Sequence, residues 1–396
     1  MPEVALKTQV AIVGGGMVGM ALALTLAQNN IESVLLEASV EDDLEQESFD
    51  DRTLVINPAS KQFWHSIGLW SDIAKHTTEI NHVHVSNQGQ FGVVHFDKDE
   101  LKVPQLGHVI AAKKLAQILH AAVKQNKLIK HHQPAKLESF QQNESHVRMK
   151  VATAGQSLQV DASLMVAADG VKSAIRTELN LATVVKSYQR QAIICNITTD
   201  ERHHNRAYER LTTEGPMALL PFKNRFGFVW SVQEEKAASL LAADDHEFLA
   251  LAQQRFGFRA GAMLKVGRRS AYPLFQIKVP TQYAQRVVLM GNAAHAVSPV
   301  SAQGLNLAVR GIDRLSQLLA EQNNNNNDLG STQVLRKYQD LSNTDQDRTM
   351  NYTDDLMSWF KIDEPTVNAI RSLGLVAINA NLALKKMLYQ TAGGLR

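Results

Sequence analysis

The chain has one cysteine, Cys195, in 396 residues, so it has no internal disulfide and no thiolate set for a metal. That usage fits a reducing compartment. Net charge is also scarce: 41 basic against 39 acidic side chains leave +2. A near-neutral balance argues against a nucleic-acid binder, which needs a concentrated basic face. No apolar run reaches the about 20 residues that span a bilayer. Residues 1–16 have no basic segment leading into a cleavable apolar stretch. The protein is therefore expected in the cytoplasm, with contact to the inner face of the membrane left open. No internal repeat is present. What remains is 44% hydrophobic and 20% charged, ordinary for a globular chain. Its length predicts two or three domains at about 150 residues each.

The first pattern with chemistry is Gly14-Gly15-Gly16-Met17-Val18-Gly19, a G-x-G-x-x-G. Alone it is weak, and its context strengthens it. An apolar strand ends at Val13, an apolar helix runs to Gln28, and a second strand, Ser33 to Leu36, ends at an acid, Glu37. Gly14 permits the tight turn, Gly16 lets the backbone approach a pyrophosphate, and Gly19 lets helix and strand pack closely. The helix N-terminus offers N–H groups and a positive dipole end to phosphate. Glu37 is placed to accept hydrogen bonds from a ribose diol. The motif does not separate NAD from FAD.

Past the acidic stretch 41–51 stands Arg52, which reads either as an anchor for a phosphate or flavin edge or as a surface ion pair. Period-two alternation from His82 to Phe96 predicts a hairpin, and a second β-rich block runs from Ala192 to Trp230. Two such blocks interrupting an α/β chain suggest one inserted sheet, a substrate platform. The histidines there (His82, His84, His95, His203 and His204) lack a carboxylate pattern, so no metal site is expected. Two buried strands end in glycine-bearing polar turns, Asp169-Gly170 and Gly291-Asn292, where ligands bind in open α/β sheets. A polar run, Asn323 to Asn327, reads as a flexible loop. From Ser331 onward the pattern is helical.

In order and spacing, the glycine motif, the Asp169-Gly170 turn and Gly291-Asn292-Ala293-Ala294-His295 before Pro299-Val300-Ser301-Ala302-Gln303-Gly304-Leu305-Asn306 resemble the FAD-dependent aromatic hydroxylases of the para-hydroxybenzoate hydroxylase type. Within them, Arg206-Ala207-Tyr208-Glu209-Arg210 with Gly215-Pro216-Met217-Ala218-Leu219-Leu220-Pro221 is similar to the ubiquinone-biosynthesis branch. The resemblance implies an α/β fold: a Rossmann-like FAD-binding domain (residues 1–80, 104–185 and 285–330), an inserted β-sheet substrate domain (81–103 and 186–284) and a C-terminal helical segment (331–396).

The same resemblance implies FAD as cofactor, NAD(P)H and O2 as co-substrates, and hydroxylation of a polyprenylated phenol. The step that fits is 2-polyprenyl-6-methoxyphenol to 2-polyprenyl-6-methoxy-1,4-benzoquinol. By this carry-over Gly14, Gly16, Gly19 and Glu37 hold the ADP half. Arg52 reaches the flavin side, Asp169 and Gly170 approach the pyrophosphate, and Gly291 and Asn292 touch the ribityl chain and phosphate. Pro299, Gly304, Leu305 and Asn306 flank the isoalloxazine. His295 is the nearest titratable candidate for a phenol base, against a role that only orders its turn. The chain departs from the broad family at Asn292, usually aspartate, and at Ala302, usually glycine. Whether Lys113 or Lys114 replaces an arginine near the adenosine stays open.

A polyprenyl tail raises the question of lipid and of other ubiquinone-biosynthesis proteins as partners. The apolar Ile370, Leu373, Ile378, Leu382, Met387 and Leu388, near Arg371, Lys385, Lys386 and Arg396, either lie on anionic lipid or pack on the cofactor domain or a partner. Three functional alternatives stay open as well: a sister hydroxylase acting at another ring carbon, a non-catalytic flavoprotein scaffold, and a NAD-dependent dehydrogenase built on the same glycine motif, which leaves the Gly291 and Pro299 to Asn306 motifs unexplained.

Overall fold

The computed structural model describes residues 5–40, 52–298, 303–359 and 364–395. Pro299 and Ala302 lie outside the described residues. Strand Ala5–Val13 sits at the centre of an eight-stranded sheet, between Gln156–Ala167 and Ser33–Leu36, all parallel. Val10, Ala11 and Ile12 are all buried, because both faces of the strand are covered. Helix Met17–Gln28 lies on one face with Gly19 through Ala27 buried, which explains a helix apolar nearly all round.

Register sets where the turns emerge. Val13 stands opposite Ala167 and Leu36, and Ala167 opposite Leu289. The turns that follow these residues therefore leave from one carboxyl edge of the sheet. Beyond the parallel core, Ala135–Gln142 and Val147–Thr153 add an antiparallel extension to Gln156–Ala167.

The hairpin is present as His82–Asn87 and Val93–Asp97. Its first strand pairs in parallel with Arg206–Leu211, so both β-rich blocks build one nine-stranded sheet. Phe226, Phe228 and Trp230 of that sheet pack against Phe248 and Phe256 of helix Asp245–Phe256, giving it a core of its own. A small third sheet, Thr53–Ile56 with Gly107–Ala111 and Thr78–Ile80, lies at the junction.

The asparagine run is helical at its start and a loop beyond: Asn323 and Asn324 close a helix, and Asn325 to Asn327 form the expected turn and loop. Helix Gly304–Asn324 continues into it, and the Asn323 side chain accepts from Gln9 Nε2 (2.9 Å) and donates to the Asn29 carbonyl (3.3 Å). Tertiary anchoring outweighs the weak helix preference of asparagine. At the C-terminal end, helices Pro365–Ala380 and Leu382–Ala392 meet at 98°. They are tied down at several points. Asn379 Oδ1 accepts from the His95 N–H (2.9 Å), the Gly393 carbonyl accepts from the Ala59 N–H (3.1 Å), and buried Lys385 reaches both Glu100 oxygens (3.0 and 2.9 Å). These helices therefore cover both the hairpin and the cofactor-side helix Pro58–Ser66.

Candidate active site

The glycine turn shows a division of labour. Gly14 has φ +112°, and a Cβ there would strike the Ala168 carbonyl; a Cβ on Gly19 would overlap the Gly14 carbonyl oxygen. Both glycines are needed for close packing. Gly16, which forms the N-cap of helix Met17–Gln28, would instead point a Cβ into open space, as would Gly170. The first turn of this helix has no side-chain cap, so its N–H groups face that space unsatisfied by side chains. An open concavity of backbone donors at a positive helix end fits an anionic pyrophosphate. Glu37 is held there by two backbone donors: Oε2 accepts from Gly15 N–H (2.7 Å) and Oε1 from Ser39 N–H (2.8 Å). Ser39 Oγ also donates to Oε1 (2.7 Å), which leaves lone-pair capacity on Oε2 to meet a diol.

The neighbouring turns close on the same place. Ala168 donates its N–H to Val13 and Met290 donates to Ala167, linking the strand ends. Arg176 fastens the two later turns, donating to the Val171 (2.8 Å) and Ala293 (2.9 Å) carbonyls. Asp169 accepts weakly from Ile175 N–H (3.3 Å) through Oδ2, and its Oδ1 is buried with no partner among the described residues. Such an orphaned oxygen at the carboxyl edge suits a ligand donor. Gly291, at φ +58°, lies against Val18 in the first turn of the glycine-motif helix, and Asn292 beside it is exposed. The structure thus brings Gly14, Gly16, Gly19, Glu37, Asp169, Gly170, Gly291 and Asn292 to one edge.

The remaining predicted residues stand toward the nine-stranded sheet. Arg52 extends over Tyr272 of strand Ser270–Lys278, 5.8 Å from the ring centroid, and meets no carboxylate among the described residues. Gly304 and Leu305 open helix Gly304–Asn324, whose N-terminus no described side chain caps. Asn306 is buried and bonded on both sides: Oδ1 accepts from the Asn57 N–H (3.1 Å) and Nδ2 donates to the Val55 carbonyl (2.9 Å). It staples the helix start to the small sheet.

Between these elements and the larger sheet lies a cavity of about 470 Å³. Asn57, Gln303 and Asn306 bound it on the cofactor side. Its floor is one sheet face, with Val83, Val85, Ala218, Leu220 and Val229. Leu375, Ile378, Leu388 and Tyr389 of the last two helices roof it. His295 does not line it. That histidine stands on the edge strand His295–Ala296, with neither ring nitrogen hydrogen-bonded among the described residues. Burial pushes its pKa down to about 4, so the ring is neutral at neutral pH.

Sequence reasoning missed Glu209, which lines the cavity among the apolar side chains, with burial pushing its carboxyl up to about 7. The signal lay in the alternation: Glu209 occupies the same phase as Ala207 and Leu211 on a half-buried strand. The C-terminal roof was missed for a different reason, since nothing local in residues 365–392 names the hairpin they cover.

Comparison with known proteins agrees with this geometry. Ubiquinone hydroxylase UbiL of Rhodospirillum rubrum is 28% identical over 387 residues, 97% of this chain and 89% of the relative. The 3-demethoxyubiquinol 3-hydroxylase of Escherichia coli K12 is 27% identical over 391 residues, 98% of this chain and 99% of the relative. The crystal structure of p-nitrophenol 4-monooxygenase PnpA from Pseudomonas putida DLL-E4 superposes with a TM-score of 0.79 at 18% identity, covering 99% of each chain, and shows the same fold. An uncapped helix behind an open glycine turn, an acid closing the second strand and two further turns on the same sheet edge suit a dinucleotide such as FAD. Matching that family's model over residues 7–342, the chain belongs to the FAD binding domain family.

Proposed function

We propose that this chain is an FAD-dependent aromatic hydroxylase that uses NAD(P)H and O2 to hydroxylate a polyprenylated phenol in ubiquinone biosynthesis. The assigned step is 2-polyprenyl-6-methoxyphenol to 2-polyprenyl-6-methoxy-1,4-benzoquinol. One observation carries the reading: an apolar cavity of about 470 Å³ abuts the start of helix Gly304–Asn324, with a roof of apolar helices. FAD, when bound there and reduced by NAD(P)H, supplies the activation of O2. The protein's own work is positioning and exclusion of water. Val83, Val85, Leu220 and Leu375 hold an aromatic ring and keep bulk water from the reacting centre. The uncapped start of helix Gly304–Asn324 offers N–H donors to negative charge at the cavity wall.

In this reading Gly14, Gly16, Gly19 and Glu37 hold the ADP half, and Asp169, Gly170, Gly291 and Asn292 the pyrophosphate and ribityl region. Arg52, Gly304, Leu305 and Pro299 border the flavin, and Asn306 fixes the helix start between flavin and substrate. His295 is assigned no part in the chemistry, consistent with its neutral, cavity-remote ring. The discontinuous domain division of the chain goes with this assignment, the eight-stranded sheet serving the cofactor and the nine-stranded sheet the substrate.

The purified protein is expected to show a flavin spectrum and NAD(P)H oxidation that a 2-prenyl-6-methoxyphenol stimulates, with the quinol as product. Absence of stimulation and of product sinks the reading. A second reading is a sister hydroxylase, favoured by the full-length match to a relative named for hydroxylation at ring position 3. The pathway intermediate that accumulates when the gene is removed separates the two.

The outer face of the roof supports a proposal of peripheral membrane contact. No single helix among the described residues is long and apolar enough to cross a membrane. The helices that roof the cavity nonetheless expose Ile370 (60%), Leu373 (59%) and Val376 (45%), a spacing that places them on one helical face. Leu382 and Met387 extend the exposed apolar surface. A surface of this kind suits shallow seating in a lipid headgroup layer, next to a cavity for a prenylated ring. The double variant Ile370→Glu/Leu373→Glu is expected to lose flotation with anionic phospholipid vesicles while keeping its flavin. Equal flotation of variant and wild type would remove the membrane contact.

A further inference from the structure

Glu209 stands in the middle of strand Arg206–Leu211, opposite Val85 on one neighbour and Ala218 on the other. Strand alternation sends Arg206 and Arg210 to the opposite face, where Arg210 donates to Ser86 Oγ (3.0 Å) and His84 packs by the Tyr208 ring at 5.6 Å. No described arginine, lysine or histidine lines the cavity. The other titratable residues lining it are Tyr389, from the roof, and Tyr208 of the same strand, whose ring packs against His84 and Phe256. Glu209 makes no hydrogen bond or ion pair to a described residue. A half-buried carboxyl that faces an apolar cavity and meets no described donor is costly to desolvate and contributes no packing that an apolar residue would not supply better. Its position is explained by a ligand that brings a hydroxyl.

We propose that Glu209 is the base that takes the phenolic proton of the aromatic substrate, an inference that rests on the hydroxylase reading above. The substrate O–H bond breaks, the proton forms an O–H bond on the Glu209 carboxylate, and the electron pair stays on the phenolate oxygen. That charge raises electron density at the para carbon that receives oxygen. When this carbon sheds its hydrogen as a proton to water and the ring regains aromaticity, the Glu209 carboxyl returns its proton to the oxygen. Burial helps twice: it tunes the carboxyl toward neutral pH and strengthens the hydrogen bond to the phenol.

The test uses the FAD-loaded full chain and 2-prenyl-6-methoxyphenol. For wild type, kcat/KM for the phenol is expected to rise about tenfold per pH unit and level off above the carboxyl pKa. That pKa is about 7. In Glu209→Gln this limb disappears and kcat falls by about 100-fold with KM for the phenol little changed. Glutamine has the same shape, so flavin content is expected to stay at the wild-type level. An independent readout needs no turnover: the infrared carboxyl stretch of wild type is expected to vanish as pH rises through the same range, to be displaced by the phenol, and to be absent in Glu209→Gln. Wild-type kcat and an unaltered pH limb in Glu209→Gln overturn the proposal, as does a wild-type spectrum with no carboxyl titrating there. If wild type hydroxylates no phenol, the hydroxylase reading falls and this inference falls with it.

Discussion

Gly19→Ala is expected to purify without FAD. A Cβ at this position overlaps the Gly14 carbonyl oxygen, a backbone atom in the turn that would cradle the pyrophosphate. The clash is relieved only by moving the helix Met17–Gln28 off the turn, because no flexible side chain is there to give way. Overpacking of this kind costs about 1–3 kcal/mol of stability. The larger loss is in binding, since the displaced helix carries the N–H donors. A loss of about 3 kcal/mol in that contact corresponds to about 100-fold in Kd. Gly16→Ala is the informative partner. Its Cβ meets nothing within 4 Å and Gly16 has an ordinary φ of −68°, so the apoprotein is expected to be as stable as wild type. The methyl nevertheless occupies the space assigned to phosphate, and affinity for FAD is expected to fall. Calorimetric melting of the apoproteins with flavin titration measures both effects. Full flavin occupancy in both variants would refute the assigned cradle.

Asp345→Ala is expected to lower stability by about 3 kcal/mol, read as an earlier urea midpoint. Asp345 lies on helix Thr332–Trp359 and accepts from Arg310 Nε (2.8 Å) and from Arg314 (2.7 Å), both on helix Gly304–Asn324. Arg310 also donates to Thr349 (3.2 Å). Burial alone would push the carboxyl up, but the hydrogen bonds and charges of the two guanidiniums outweigh it and hold it below the usual value. Removing the carboxylate leaves two half-buried cations facing one another beside neutral His295. The pH sign follows from the lowered folded pKa. The contribution of Asp345 is complete above the ordinary carboxylate range and is lost as pH falls through the folded pKa. The gap between wild type and Asp345→Ala is therefore expected at neutral pH and to close in acid. A gap that is constant with pH would assign the effect to packing instead of charge.

The legible part of the molecule was short-range. Steric needs of a tight turn at Gly14 and of close helix packing at Gly19 are written in six consecutive residues, and the acid at Glu37 follows within one βαβ unit. Apolar strands ending at Ala167 and Leu289 in polar glycine turns could be read because buried parallel strands have continuous apolar runs. The third sheet was not read, since strands as short as Thr78–Ile80 carry too little pattern, whereas the alternation of Val147, Met149 and Val151 in the antiparallel extension was legible and went unread. Only the start of the asparagine run departs from the loop reading, because the bonds that anchor Asn323 go to Gln9 and Asn29, far away in sequence.

From sequence alone, then, came the glycine-turn edge and the interrupted α/β order, products of local backbone sterics and periodicity, and the family resemblance, which rests on the order of the motifs. Tertiary structure decided the chemistry of the cavity. Pairing of residues 82–87 with 206–211 puts Glu209 beside Val85, and the ion pair of Lys385 with Glu100 fixes the roof. Asn306, expected beside the flavin ring, spends its amide on Val55 and Asn57. Each of these depends on a contact between residues remote in the chain. Whether a lone carboxylate meets water or an apolar wall is settled by such contacts, and so is its pKa.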